Sequence, residues 1–215
     1  DEEYLRDDRR RATLIAEMCA ANPSGFVFRS PQRYAPPVTM GLYVRGLKDV
    51  VESCSTSGIR IHLPKAGWLG WLAMGWGAWG FSAGLGVGTW CDQLDRAGGN
   101  SPDEPTRWYF EPQLLRAVPW RVHEDLAKRA NYIPCTCVDC AGVASRGWED
   151  LKAKRHQLRH ANAEAASLSG RTTVQQRAIA IRARIDGAIA FRNSLPATLA
   201  KQADAKFLTS WGALV

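Results

Sequence analysis

The chain has 215 residues, of which 46% are hydrophobic and 23% are charged, a composition that excludes an intrinsically disordered protein. Its six cysteines are too few for a disulfide-rich scaffold, and the first residues lack the pattern of a secretory signal. We therefore expect a folded cytoplasmic protein with reduced thiols. Because the chain starts at Asp1 rather than Met, we also expect a processed, trimmed or partial chain.

The first 82 residues predict alternating helices and strands. Helices are predicted for residues 3–21, 47–54 and 68–74. Short apolar segments predict strands at residues 26–28, 40–44, 59–63 and 78–82. Strands that alternate with helices over short loops are typical of a parallel sheet with right-handed crossovers. The predicted fold class is therefore α/β, either a doubly wound sheet or part of a (β/α)8 barrel.

Residues 66–90 contain no charged side chain and are long enough to cross a bilayer. Eight glycines interrupt the segment, however, and a helix, a turn and a strand fit within it. We predict a buried strand–helix–strand section and no membrane association. Four tryptophans are expected to pack in its core: Trp68, Trp71, Trp76 and Trp79.

A cluster of three cysteines, Cys135, Cys137 and Cys140, is followed by His160. Three thiolates and one imidazole fill the four positions of a tetrahedral Zn²⁺ site, which makes such a site structural. His156 lies four residues before His160, so both imidazoles fit one side of a helix. We predict a zinc ion here and expect the remaining cysteines to be buried thiols: Cys19, Cys54 and Cys91.

Two amphipathic helices are predicted after the cysteines, at residues 149–168 and 173–192. Residues 141–215 contain 12 of the 28 Lys and Arg but 5 of the 21 Asp and Glu, which leaves 16 of each in residues 1–140. The whole net charge of +7 therefore lies after the cysteines. This excess favours a phosphate-rich partner such as nucleic acid, although a solvated helix face explains the same pattern. The candidate phosphate ligands are on the second helix: Arg177, Arg182, Arg184 and Arg192.

The segments YIPCTCVDC, LRHANAEAASL and IRARIDGAIAFRN resemble the zinc-binding end of the tRNA-guanine transglycosylases. This resemblance implies a partial (β/α)8 barrel of the TIM type in residues 1–134 and a helical zinc-binding subdomain in residues 135–215. It also implies which histidine completes the metal site. The implied Zn²⁺ ligands are Cys135, Cys137, Cys140 and His160.

The upstream segments IRIHLPKAGWLGWLAMGWGAWGFSAG and LYVRGL resemble the same family's strand–helix–strand and its loop near the bound base. By this resemblance, Arg45, Gly46 and Leu47 form the loop, and His62 and Ser82 lie beside the substrate. Members of the family exchange guanine for a 7-deazaguanine base in nucleic acid by means of an Asp nucleophile. In this chain Ser82 stands at the position of that Asp.

Three functions are therefore expected as alternatives. The first is base exchange in tRNA or DNA. The second is a non-catalytic subunit, stabilised by zinc, that binds nucleic acid or a catalytic partner. Ser82 at the nucleophile position favours this alternative. The third is a zinc-stabilised domain of unrelated role. Since four predicted strands are half of an eight-stranded barrel, we expect a longer chain or an oligomer to complete it.

Overall fold

The computed structural model of the chain describes residues 2–29, 41–64, 66–82, 108–141 and 148–215. Its first elements are helices α1 (Glu2–Arg6) and α2 (Asp8–Ala20), where the sequence predicted one helix. Asp7 separates them because its backbone is extended and its side chain accepts a hydrogen bond from the Arg10 amide at 2.8 Å. Asp7 is therefore the N-cap of α2.

Helix α3 (Gly41–Thr56) replaces part of a predicted strand. The predicted helix 47–54 lies inside it, but the predicted strand at 40–44 is wrong over residues 41–44, and residue 40 lies outside the described part. The buried residues of α3 recur every three or four positions: Tyr43, Val44, Leu47, Val50, Val51 and Cys54. That period belongs to one helical face, so the strand prediction missed the first turn of a longer amphipathic helix.

The parallel sheet contains strands β1 (Gly25–Val27), β2 (Arg60–Leu63) and β3 (Gly80–Phe81) in that order. Both strand pairs are parallel, and helix α4 (Gly67–Met74) lies between β2 and β3 in the chain. The mixed α/β class and the parallel arrangement are confirmed. The described residues form this small sheet and show no closed barrel.

A second, antiparallel pair precedes the cysteines. Strands β4 (Trp108–Glu111) and β5 (Arg116–Pro119) are joined by one turn of 3-10 helix, Pro112–Leu114, and helix α5 (Trp120–Ala127) follows. Leu115 completes the connection with a left-handed backbone, φ 54°.

The carboxyl-terminal part is helical. It consists of α6 (Asp150–Ser169), α7 (Val174–Asn193), α8 (Ala197–Ala203) and α9 (Phe207–Gly212). The two long helices match the predicted ones to within one residue at each end. Helix α7 starts with a capping box in which the Thr173 and Gln176 side chains each accept from the other residue's backbone amide.

One hydrophobic cluster joins the elements on both sides of residue 134. Trp68, Trp71 and Trp76 are buried in it, as predicted, whereas Trp79 is 63% exposed. The end of α4 meets α7 closely, since a Cβ added to Gly75 would lie 3.0 Å from Ile181 Cδ1. Apolar contacts therefore extend across residue 134, and the division into two domains there stays a prediction. Among the described residues, no helix has the length and apolar character to span a membrane.

Candidate metal centre

The cysteine loop, residues 135–140, lies between α5 and α6 and faces the first turns of α6. A tight turn closes it, because the Cys140 amide donates to the Cys137 carbonyl at 3.0 Å. The buried Asp139 carboxylate pairs with two cations of α6, Arg155 at 3.2 Å and Arg159 at 2.7 Å. These ion pairs fix the loop against the helix that carries both histidines.

Four donor atoms converge between the loop and the helix. The Sγ atoms of Cys135, Cys137 and Cys140 and a ring nitrogen of His156 all lie within 4.8 Å of one another. His156 Nδ1 is 3.3 Å from Cys137 Sγ, 3.3 Å from Cys140 Sγ and 3.9 Å from Cys135 Sγ. Zn–S bonds of about 2.3 Å in tetrahedral geometry put ligand atoms about 3.8 Å apart, so the donor set fits one small ion.

The ring of His156 is held in the orientation that a ligand needs. His156 is fully buried, and its Nε2 lies 2.7 Å from the Phe110 carbonyl of β4, to which it donates. The proton therefore occupies Nε2 and leaves the Nδ1 lone pair directed at the cysteines. Burial lowers the pKa of His156 to about 4, so the imidazole is neutral at neutral pH, as a metal ligand must be.

His160, the ligand that the resemblance implies, also lies at the cluster and stays a predicted ligand. Its Nε2 lies 3.2 Å from Cys135 Sγ, but His156 Nδ1, and not His160, completes the four-atom group. Burial lowers the pKa of His160 as well. Sequence spacing left both histidines available, and the Phe110 carbonyl that orients His156 has no signature in the sequence.

The thiols need a cation to ionise here. Burial raises the pKa of Cys135 and Cys140 above the ordinary thiol value. Tyr109 adds a polar neighbour, with its hydroxyl 3.5 Å from Cys140 Sγ. A bound divalent metal deprotonates the thiols that coordinate it. The cluster therefore has the chemistry of a candidate metal site and not that of a reactive thiolate, which needs a lowered pKa.

The predicted base-binding residues do not form a loop. Arg45, Gly46 and Leu47 lie in the interior of α3, where Leu47 is fully buried and Gly46 packs against the Leu5 backbone. His62 lies in β2 with its Nδ1 buried, and none of the described residues forms a hydrogen bond with that atom. Ser82 follows β3 and donates its amide to the Leu63 carbonyl at 3.1 Å.

The four predicted phosphate ligands of α7 have partners within the protein. Arg177 donates to the Ala78 carbonyl at 3.3 Å, and Arg182 donates to the Gly212 carbonyl at 2.6 Å. Arg184 donates to the Pro112 carbonyl and to Glu164, each at 2.5 Å. Arg192 contacts the side chain of its neighbour Asn193 at 3.4 Å. Arg177, Arg182 and Arg184 therefore connect α7 to other segments, whereas Arg192 bonds within α7. As phosphate ligands all four stay a prediction.

No protein-family model, curated protein or solved structure matches this chain.

Proposed function

We propose that this protein binds one Zn²⁺ through Cys135, Cys137, Cys140 and His156, and that the ion stabilises the fold. The observation that carries the proposal is the convergence of three sulfurs and one oriented imidazole nitrogen within 4.8 Å. Thiolates and imidazole in tetrahedral arrangement select zinc among the common divalent metals. With all four positions filled by protein atoms, no position stays open for a substrate, so the site is structural.

The ion would connect parts of the chain that are far apart in sequence. It would join the cysteine loop to α6 directly, and to β4 through the hydrogen bond between His156 and the Phe110 carbonyl. Structural zinc of this kind contributes its binding free energy to folding. The proposed role is therefore to hold the β4–β5 pair, the loop and α6 together.

The two histidines of α6 provide a matched test. Metal analysis of the purified protein should find one zinc per chain, with most of it lost in His156→Ala and retained in His160→Ala. The opposite pattern would restore the ligand set implied by the family resemblance. Absence of zinc in wild type after reconstitution under reducing conditions would overturn the site altogether.

A second proposal comes from the resemblance to the transglycosylases: a non-catalytic nucleic-acid-binding subunit. It is supported by the excess of positive charge in residues 141–215 and by Arg155 and Arg159, each about half exposed beside the cysteine loop. The three parallel strands would then be a section of a (β/α)8 barrel that a longer chain or a partner completes. Base exchange by a cytoplasmic enzyme is the competing proposal, and it requires another nucleophile than Ser82.

Salt dependence tests the binding proposal. Affinity for tRNA or duplex DNA should fall steeply with salt concentration, because phosphate contacts release counterions. Removing two exposed charges after the cysteines, Arg171→Gln with Lys201→Gln, should weaken binding and flatten the salt slope by about two. The matched pair Arg9→Gln with Arg121→Gln should change neither. Equal effects of both pairs, or no binding, would count against this function.

Base exchange is tested separately. Incorporation of labelled guanine into tRNA or DNA by the zinc-loaded protein would establish an enzyme and exclude the non-catalytic version.

A further inference from the structure

A cavity of about 200 Å³ lies beside the metal cluster. A cavity of about 150 Å³ is large enough for benzene, so this one accommodates a single aromatic ring with a substituent. Four aromatic side chains form much of its wall, and two of the cluster's cysteines reach it. The residues that matter here are Tyr109, Trp120, His123, Tyr132, Trp148 and Cys140.

A buried carboxylate orients the histidine of this cavity. Glu111 is fully buried, and its Oε2 lies 3.3 Å from His123 Nδ1 and accepts from the Tyr132 hydroxyl at 3.2 Å. The carboxylate can only accept, so His123 Nδ1 carries the proton and Nε2 is an acceptor. Stacking on Tyr109, with ring centres 3.6 Å apart, fixes the plane of the imidazole.

His123 is one of the residues that line the cavity. The side chain of His123 is 13% exposed, and no hydrogen bond within the described part of the chain involves its Nε2. Glu111 and Tyr132 reach His123 only through the fold, since they lie 12 and 9 residues from it in the chain.

The charges around the cavity select against anions. Glu111 contributes a negative charge behind the wall, and three thiolates around the proposed Zn²⁺ would leave one net negative charge at the cluster. None of the described residues that line the cavity is Lys or Arg. The favoured ligand is therefore uncharged, has a flat apolar body for the aromatic walls, and donates one hydrogen bond to His123.

We infer that this cavity binds a small uncharged aromatic ring that carries an O–H or N–H donor, with His123 Nε2 as its acceptor. The site shares its wall with the metal cluster but uses its own recognition residues. Its ligand chemistry is therefore independent of which histidine holds the metal.

Phenol and toluene are a matched pair of probes, since they differ by a hydroxyl in place of a methyl group. Ligand-observed NMR titrations of the purified protein, with metal content measured on the same sample, should show saturable phenol binding. Toluene should bind about five- to tenfold more weakly, as expected for one lost hydrogen bond. The anion benzoate should not bind. Equal affinities of phenol and toluene, or no phenol binding, would overturn the inference.

The variant His123→Phe keeps a ring against Tyr109 and removes the acceptor. It should reduce the affinity for phenol to that for toluene, while Tyr4→Phe, in α1 and outside the cavity wall, should change neither affinity. Glu111→Gln should weaken phenol binding but not toluene binding, because the carboxylate sets the tautomer of His123. Unchanged phenol preference in a folded, metal-containing His123→Phe protein would contradict the assigned role of His123.

Discussion

At the scale of single residues, the glycine at position 46 is explained by a close contact between two helices and not by the conformational freedom of glycine. Gly46 lies in the interior of α3, a position where glycine costs about 1 kcal/mol relative to alanine. The structure supplies the compensation, because a Cβ at this position would overlap the Leu5 carbonyl group. Gly46 thus permits α1 to lie directly on α3, and its role in base binding stays a prediction.

Gly46→Ala should therefore destabilise the protein despite its better helix propensity. We expect a loss of about 1–3 kcal/mol in the free energy of unfolding, as for other overpacked sites. Gly187→Ala is the control, since nothing lies within 4 Å of a Cβ at that exposed position of α7. It should gain up to about 1 kcal/mol. Urea denaturation measures both, and a stabilised Gly46→Ala protein would refute the close contact.

At the scale of elements, α7 is fixed at its start and along its length. The capping box of Thr173 and Gln176 satisfies amide groups at the first turn. Farther along, Arg177, Arg182 and Arg184 donate to carbonyl groups of other segments. The helix is thereby tied to the region of the parallel sheet, to the 3-10 turn and to α9, which places its arginines in structural contacts.

Loss of the cap should be measurable by itself. Thr173→Ala removes the side-chain oxygen that accepts from the Gln176 amide, at an expected cost of about 1 kcal/mol. The exposed Thr198 of α8 offers the same substitution without a cap, so Thr198→Ala should stay within about 0.5 kcal/mol of wild type. Comparison of denaturation midpoints tests this difference, and equal effects would mean that the capping box contributes nothing.

At the scale of the whole molecule, a single hydrophobic cluster spans the sheet, the β4–β5 pair and the carboxyl-terminal helices. The metal site lies where the cysteine loop, β4 and α6 meet, and the hydrogen bond from His156 to Phe110 couples it to β4. Losing the ion should therefore affect cooperative unfolding of the whole chain and not only the loop.

Metal removal should lower the thermal midpoint. Free zinc at a thousand times its dissociation constant stabilises by about 4 kcal/mol, which corresponds to about 10 °C for a chain of this size. Scanning calorimetry with and without chelator should show this difference in wild type and in Cys19→Ser, whose sulfur is outside the cluster. The thermal midpoint of Cys137→Ser should be lower than that of wild type before chelation, and chelator should not change it further. An unchanged midpoint in chelated wild type would exclude a stabilising ion.

Local pattern was sufficient for much of the chain. The long helices α6 and α7, the parallel strands and the cysteine cluster were predictable, because helical periodicity, strand–helix alternation and ligand spacing are all properties of neighbouring residues. The strand prediction at the start of α3 failed because a short apolar run fits a strand and a buried helical turn equally well.

The sequence by itself determined that three thiols and a histidine of α6 are available for a metal. Only the tertiary structure shows that His156 Nδ1 lies with the three sulfurs, because the Phe110 carbonyl orients this ring from a distant strand. It also paired Glu111 with His123 and gave the α7 arginines carbonyl partners. These are contacts between residues far apart in the chain, which composition and spacing do not encode and which packing of the common core creates.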